Sequence, residues 1–111
     1  MMSYPIDDLY WHDGNLSDFS LALDATANTS ITLNLSLYSD GQARQRSPYQ
    51  LRCERVKRFN CTLDLEELRK NLSFGHIANG YLKQGSLWLY FSDGLLEICA
   101  AKFELSKLPE N

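Results

Sequence analysis

The feature that most constrains the fold is the nine-residue stretch SITLNLSLY, residues 30–38. Its apolar residues Ile31, Leu33, Leu35 and Leu37 alternate without a fault with more polar ones. Side chains of a β-strand point alternately to opposite faces, so this period of two indicates a half-buried strand. The stretch therefore predicts a sheet with one apolar and one solvated face, as antiparallel sheets commonly have.

Further strands are predicted by similar alternation, or by apolar runs between turn signals, at residues 17–24, at residues 49–61 and as a three-stranded meander within residues 75–105. In the 49–61 segment, Val56 is out of step with Leu51 and Cys53. A β-bulge near Glu54–Arg55 would repair the register. We expect the 17–24 and 30–38 strands to form an antiparallel hairpin.

One main helix is predicted near residues 64–72. Asp64 followed by Glu67 forms a capping box, and Leu65, Leu68 and Leu72 lie along one helical face. With so little helix, the prediction is a single domain over residues 1–111 that is mainly β and borders on the α+β class. About six antiparallel strands would form a curled sheet around the helix, or a small sandwich with the helix at its edge.

The predicted core follows the apolar faces of these elements. It consists of Phe19, Leu21, Leu23, Ile31, Leu33, Leu35, Leu37, Leu68, Leu87, Leu89 and Ile98. The three cysteines are odd in number and form no CxxC pair, so we expect neither a disulfide scaffold nor a structural zinc site. No apolar run is long enough for a membrane span, and no basic N-terminal region suggests a secretory signal, so the expected location is the cytoplasm.

Charge is segregated along the chain. Residues 1–41 contain six aspartates and no lysine or arginine, whereas residues 42–61 contain six bases and one acid. The whole chain carries a formal net charge of −3. An acidic segment of this kind speeds association with a basic protein partner.

The stretch WHDGN raises the question whether His12 and Asp13 form a catalytic or metal site, or only a turn before the first strand. Asp13-Gly14-Asn15 favours a tight turn, and His12 can hydrogen-bond nearby backbone. The alternative is a small metal-dependent or phosphoester enzyme that uses His12, Asp13 and His76. We disfavour it, because adjacent side chains diverge on an extended backbone. No other catalytic signature is present, and we predict no catalytic residues, no metal and no cofactor.

The basic strand at residues 52–58, with Arg52, Arg55 and Arg58, suggests nucleic acid as another partner. The chain as a whole is acidic, with a pI near 5.2, whereas nucleic-acid-binding domains are usually basic. Nucleic acid is therefore the disfavoured partner, and no membrane association is expected.

The order of elements resembles a group of small bacterial domains that open with an aromatic-His-Asp-x-x-Leu segment. The matching stretches are WHDGNL, VKRF and DGLLEICAAKF, and the resemblance extends from about residue 9 to residue 105. Many members of the group have no assigned function, and some are similar to immunity proteins that bind and neutralise a cognate toxin. The resemblance implies a binding role, with His12, Asp13 and Leu16 at the matching positions.

These observations predict a non-enzymatic binding protein with a basic protein partner, and leave a homodimer open. Aromatic residues and aspartates near the first hairpin would form the contact surface, because interfaces favour aromatic anchors. The predicted partner-binding residues are Tyr10, Trp11, His12, Asp13, Asp18, Asp24, Tyr38 and Asp40.

Overall fold

A computed structural model describes residues 9–23, 28–66, 75–92 and 94–109. Six strands follow one another in this part of the chain: β1 (Asn15–Ala22), β2 (Ser30–Tyr38), β3 (Arg46–Leu63), β4 (Ile77–Lys83), β5 (Ser86–Phe91) and β6 (Gly94–Lys107). The mainly β prediction is confirmed, as is the strand count.

All six strands belong to one antiparallel sheet in the order β1-β2-β3-β6-β5-β4, and the sheet is not closed. The long strands β3 and β6 run side by side through its middle, with 18 and 14 residues. The first part of β3 also pairs with β2, and the first part of β6 also pairs with β5. A single sheet agrees with the sheet of the first predicted architecture and not with a sandwich of two separate sheets, while the helix that this sheet would curl around lies mostly outside the described residues.

The bulge predicted for the third strand is present close to the expected position. The pairing of β3 with β6 shifts register between Val56 and Arg58, and Arg55 has a positive φ of 53°. A bulge bends its strand and increases the local twist. It lies where β3 passes from β2 toward the half of the sheet that holds β5.

The predicted helix near residues 64–72 falls mostly outside the described residues, which resume at Gly75. No helix is seen in the described part; the backbone turns helical only at Leu65 and Glu66, where that part ends. Leu68, predicted for the core, also lies outside the described residues.

Most of the predicted core is confirmed, with the β1 residues as the exception. Buried side chains include the predicted Ile31, Leu33, Leu35, Leu37, Leu87, Leu89 and Ile98. In contrast, Phe19, Leu21 and Leu23 are 36%, 45% and 80% exposed. Phe19 and Leu21 stand opposite the buried Leu33 and Ile31, so they share the apolar face. They remain exposed because β1 is an edge strand.

The alternation also missed Leu16, which is buried at the start of β1. The register of β1 against β2 shifts between Leu16 and Asp18. This bulge places Leu16 on the same face as Phe19, although they are three residues apart. A strict period of two cannot find such a residue, since one extra residue inverts the pattern.

Candidate functional site

The two edges of the open sheet meet at one point, beside the WHDGN segment. An isolated antiparallel bridge joins Asn15 at the start of β1 to His76, which immediately precedes β4. The Leu16 N–H donates to the Gly75 carbonyl at 2.7 Å, and the Ile77 N–H donates to the Gly14 carbonyl at 2.9 Å. These bonds hold the starts of β1 and β4 together, and we call this place the sheet joint.

His12, Asp13 and His76 come together at the sheet joint. Asp13 has a left-handed φ of 63°, which turns its carboxylate toward its neighbour His12. One carboxylate oxygen lies 3.3 Å from His12 Nε2, and the other lies 3.0 Å from His76 Nε2. The expectation that the side chains of His12 and Asp13 diverge was therefore wrong, because it assumed an extended backbone at the turn.

The hydrogen bonds of this cluster indicate a structural role, because they hold the WHDGN segment against residues 76–78. His12 Nδ1 lies 2.8 Å from the Ala78 carbonyl oxygen, which can only accept, so Nδ1 carries the proton. The Asp13 N–H donates to the Ile77 carbonyl at 3.0 Å. The hydrogen bond with His76 is the main reason that the pKa of Asp13 lies below its ordinary 3.8. A charged carboxylate thus accepts a hydrogen bond from His76 Nε2 across the sheet joint, while His12 is held by the Ala78 carbonyl beside it.

The cluster predicts a specific pH dependence of stability. A carboxyl whose pKa is lowered on folding stabilises the fold above its unfolded pKa and loses this contribution as pH falls through the folded value. We expect Asp13→Asn, which keeps the shape and tolerates the left-handed backbone, to lower stability near neutral pH. Its difference from the wild type should shrink as pH falls below about 4. Urea unfolding at pH 7, 5 and 3 measures this difference, and a constant difference would contradict the linkage.

The predicted aromatic contact residues differ in their exposure to solvent. Trp11 is only 4% exposed and belongs to the core, so its prediction as an exposed contact was wrong. It packs over Gly80 of β4, which leaves no room there for a side chain. Tyr10 is half-buried, with its ring edge-on to His12 at 6.2 Å. Tyr38 is also half-buried, with the Arg46 guanidinium 5.9 Å from its ring centroid.

Two of the predicted aspartates lie on different elements and have local hydrogen-bond partners. Asp18, on β1, accepts a 2.7 Å hydrogen bond from the Asn34 amide. Asp40 accepts one from the Gln42 N–H at 2.8 Å in the β2–β3 turn. Six residues of chain separate Asn34 from Asp40, or about 20 Å along a strand. Asp24 lies outside the described residues.

Two of the three arginines of the basic strand face carboxylates. Arg52 Nε lies 3.0 Å from Glu54, and an Arg58 nitrogen lies 3.5 Å from Glu97. Arg58 also donates to the Cys99 sulfur at 3.3 Å. These pairs offset part of the positive charge that the sequence concentrates at residues 52–58.

A groove of about 430 Å³ lies beside the outer edge of β1. We call it the β1 groove; it is lined by Asn15, Leu16, Ser17, Asp18, Phe19, Leu63, Leu65, Gly75 and Phe91. Phe19 also stacks edge-on against Phe59 at 5.6 Å. The groove starts at the sheet joint, because Asn15 and Gly75 belong to both. Most of its lining was missed from the sequence, since Leu63 and Phe91 are far from β1 in the chain.

Three carboxylates lie near this apolar groove. Asp18 lines it, and Asp64 and Glu66 line a shallow depression that adjoins it through Leu63 and Leu65. All three side chains are exposed. Among the described residues that line the two depressions, none is a lysine or arginine. The groove thus combines an apolar floor with a negative rim.

The His12–Asp13–His76 cluster does not have the arrangement of a metal site. Over residues 9–23, 28–66, 75–92 and 94–109, no group of three or more His, Cys, Asp or Glu is placed to hold a metal ion. Each Asp13 oxygen instead faces a different imidazole.

Within the described residues, no helix has the length and apolar character needed to cross a bilayer. No protein-family model, curated protein or solved structure matches the sequence or the fold.

Proposed function

We propose that this protein acts without catalysis by binding a basic protein partner in the β1 groove. The observation that carries the proposal is the row of apolar side chains left exposed on an edge strand. Phe19 and Leu21 share the inner face of β1, Phe19 lines the groove together with Leu65, and Leu23 follows the end of the strand. All four side chains are exposed.

An apolar patch of this kind is costly to leave in water. Contiguous exposed apolar surface, especially when polar residues border it, marks interaction sites on folded proteins. Edge strands are normally protected against such contact by charge, bulges or covering segments. Here the Ser17 bulge and Asp18 protect only the first part of β1, and Leu21 and Leu23 follow.

The acidic rim supports a basic partner. Asp64 and Glu66 beside the groove, and Asp18 on the outer face of β1, place negative charge near a groove whose described lining contains no lysine or arginine. Charges at the rim of an interface mainly increase the association rate and favour partners of opposite sign. Association should therefore slow as added salt shortens the Debye length toward 8 Å.

The group of small bacterial domains that the chain resembles includes some that are similar to immunity proteins, which suggests one class for this partner. WHDGNL, the stretch that carries the resemblance most clearly, forms the sheet joint at one end of the β1 groove. We propose a toxin domain with a basic surface as the cognate partner. His12 and Asp13 would then support the binding surface by fixing the start of β1.

The second candidate is the small metal-dependent or phosphoester enzyme at His12, Asp13 and His76. The three side chains do lie together at the sheet joint, although the described residues are not placed to hold a metal ion. Metal analysis of purified protein separates the two, because a stoichiometric transition metal lost in a His12→Ala, His76→Ala double variant would promote the enzyme.

A charge placed in the apolar row tests the proposed function. Leu21→Glu should abolish retention of the partner from the source cell while the protein stays folded, because Leu21 is 45% exposed. Tyr81→Glu is the matched control, since Tyr81 is 41% exposed on the outer face of β4. Quantitative pull-down with both variants is the measurement. Equal retention by Leu21→Glu and wild type would refute binding at the β1 groove.

A further inference from the structure

We propose that the partner binds as an extended strand added to the outer edge of β1, and that apolar and basic residues alternate along this strand. The inference rests on the proposed function and specifies the geometry of binding. Strand addition at an exposed sheet edge is an established mode of peptide recognition, in which main-chain hydrogen bonds supply affinity and alternate side chains supply specificity.

The backbone of β1 presents its hydrogen-bonding groups in the required direction. At the sheet joint, the Leu16 N–H points outward from the sheet, to Gly75. Leu16 therefore turns its backbone groups away from β2, and its partner Leu35 turns its own toward β3. Because β2 is regular, Asn34 then faces β1 and Leu33 does not.

This alternation determines the direction of the backbone N–H and C=O groups in the second half of β1. Phe19 and Leu21 stand opposite Leu33 and Ile31, which face away from β1. The N–H and C=O groups of Phe19 and Leu21 therefore point to the outer edge. Among the described residues, the only pairing on that edge is the bridge at Asn15. The edge from Asp18 to Ala22 gives about 17 Å for an added strand.

The two faces of β1 determine the chemistry of the added strand. On the inner face, Phe19 and Leu21 would lie next to the partner's side chains, beside the β1 groove. Apolar residues fit there because they bury surface that is now exposed. On the outer face, Asp18 and Ser20 alternate with them, and the carboxylate favours lysine or arginine directly opposite. The matching partner strand therefore alternates apolar with basic.

A synthetic peptide tests this geometry with the intact protein. The probe is an acetylated and amidated peptide of four Lys-Val repeats, and its composition control places four lysines before four valines. The alternating peptide should bind more tightly. At saturation it should slow amide hydrogen exchange of Phe19 and Leu21 by about tenfold or more, because these amides become hydrogen-bonded. Ser20, whose amide faces β2, serves as the internal control.

Two N-methylated versions of the probe identify the bonds. In an antiparallel addition, the valine backbone groups face β1, whereas in a parallel addition the lysine groups do. N-methylation of one set should therefore abolish binding, while methylation of the other set should spare it. Equal binding by both versions, or unchanged exchange at Phe19 and Leu21, would overturn strand addition.

These results are separable from a failure of the proposed function. If Leu21→Glu abolishes partner retention but Phe19 and Leu21 stay unprotected with the peptide, the groove binds a partner through side chains alone and strand addition is wrong. If Leu21→Glu retains the partner, the proposed function fails as well.

Discussion

Leu33→Ala should lower the free energy of unfolding by about 2–5 kcal/mol, the range seen when a large aliphatic side chain is removed from a packed core. Leu33 is completely buried at the middle of β2. It stands between Phe19 of β1 and Leu51 of β3 on the inner face of the sheet. The surrounding strands are hydrogen-bonded on both sides of β2, so they cannot easily close the resulting cavity.

Leu21→Ala is the matched control for this prediction. It removes the same atoms from the same face of the neighbouring strand, but Leu21 is 45% exposed. We expect a loss under about 1 kcal/mol, because little surface returns to water and no closed cavity forms. Urea unfolding of both variants measures the difference. Equal losses would mean that β1 is covered in solution to the same extent as β2.

The contrast between Leu33 and Leu21 shows how far the sequence predicts this fold. Both residues belong to faultless alternating patterns, and both occupy the inner face as expected. Local alternation determines the face but not the position of a strand within the sheet. That position depends on the pairing of β3 with β6, which runs from Leu63 with Gly94, 31 residues apart, to Tyr49 with Lys107, 58 residues apart. The sequence therefore predicted the central strands well and overestimated the burial of the edge.

The candidate site was predictable only where its contacts are local. Asp13 and Gly14 indicated a turn, and a turn is present, with the Gly14 N–H bonded to the Trp11 carbonyl. The interaction of Asp13 with His76 spans 63 residues of sequence, and nothing near either residue signals it. Trp11 was misjudged for the same reason, because Gly80 of a distant strand makes space for its ring.

The sheet joint depends on a glycine, and Gly75→Ala should be as damaging as a core truncation. Gly75 has a left-handed φ of +74°, which costs an alanine about 1–2 kcal/mol. In addition, a Cβ at this position would overlap the Leu16 carbonyl oxygen, which is backbone and cannot rotate aside. Relief requires the start of β1 to move away from Gly75. We expect a total loss above about 3 kcal/mol in urea unfolding.

Gly85→Ala separates the two causes. Gly85 has nearly the same φ, +76°, but an added Cβ would meet only the Ala100 carbonyl oxygen at 3.5 Å, an ordinary contact. Its loss should thus reflect backbone strain alone, roughly 1 kcal/mol. The excess at Gly75 then measures how rigidly the joint holds β1 against β4. An equal loss at both glycines would show that β1 shifts freely there, and a mobile start of β1 could not hold Phe19 and Leu21 in register for an incoming strand.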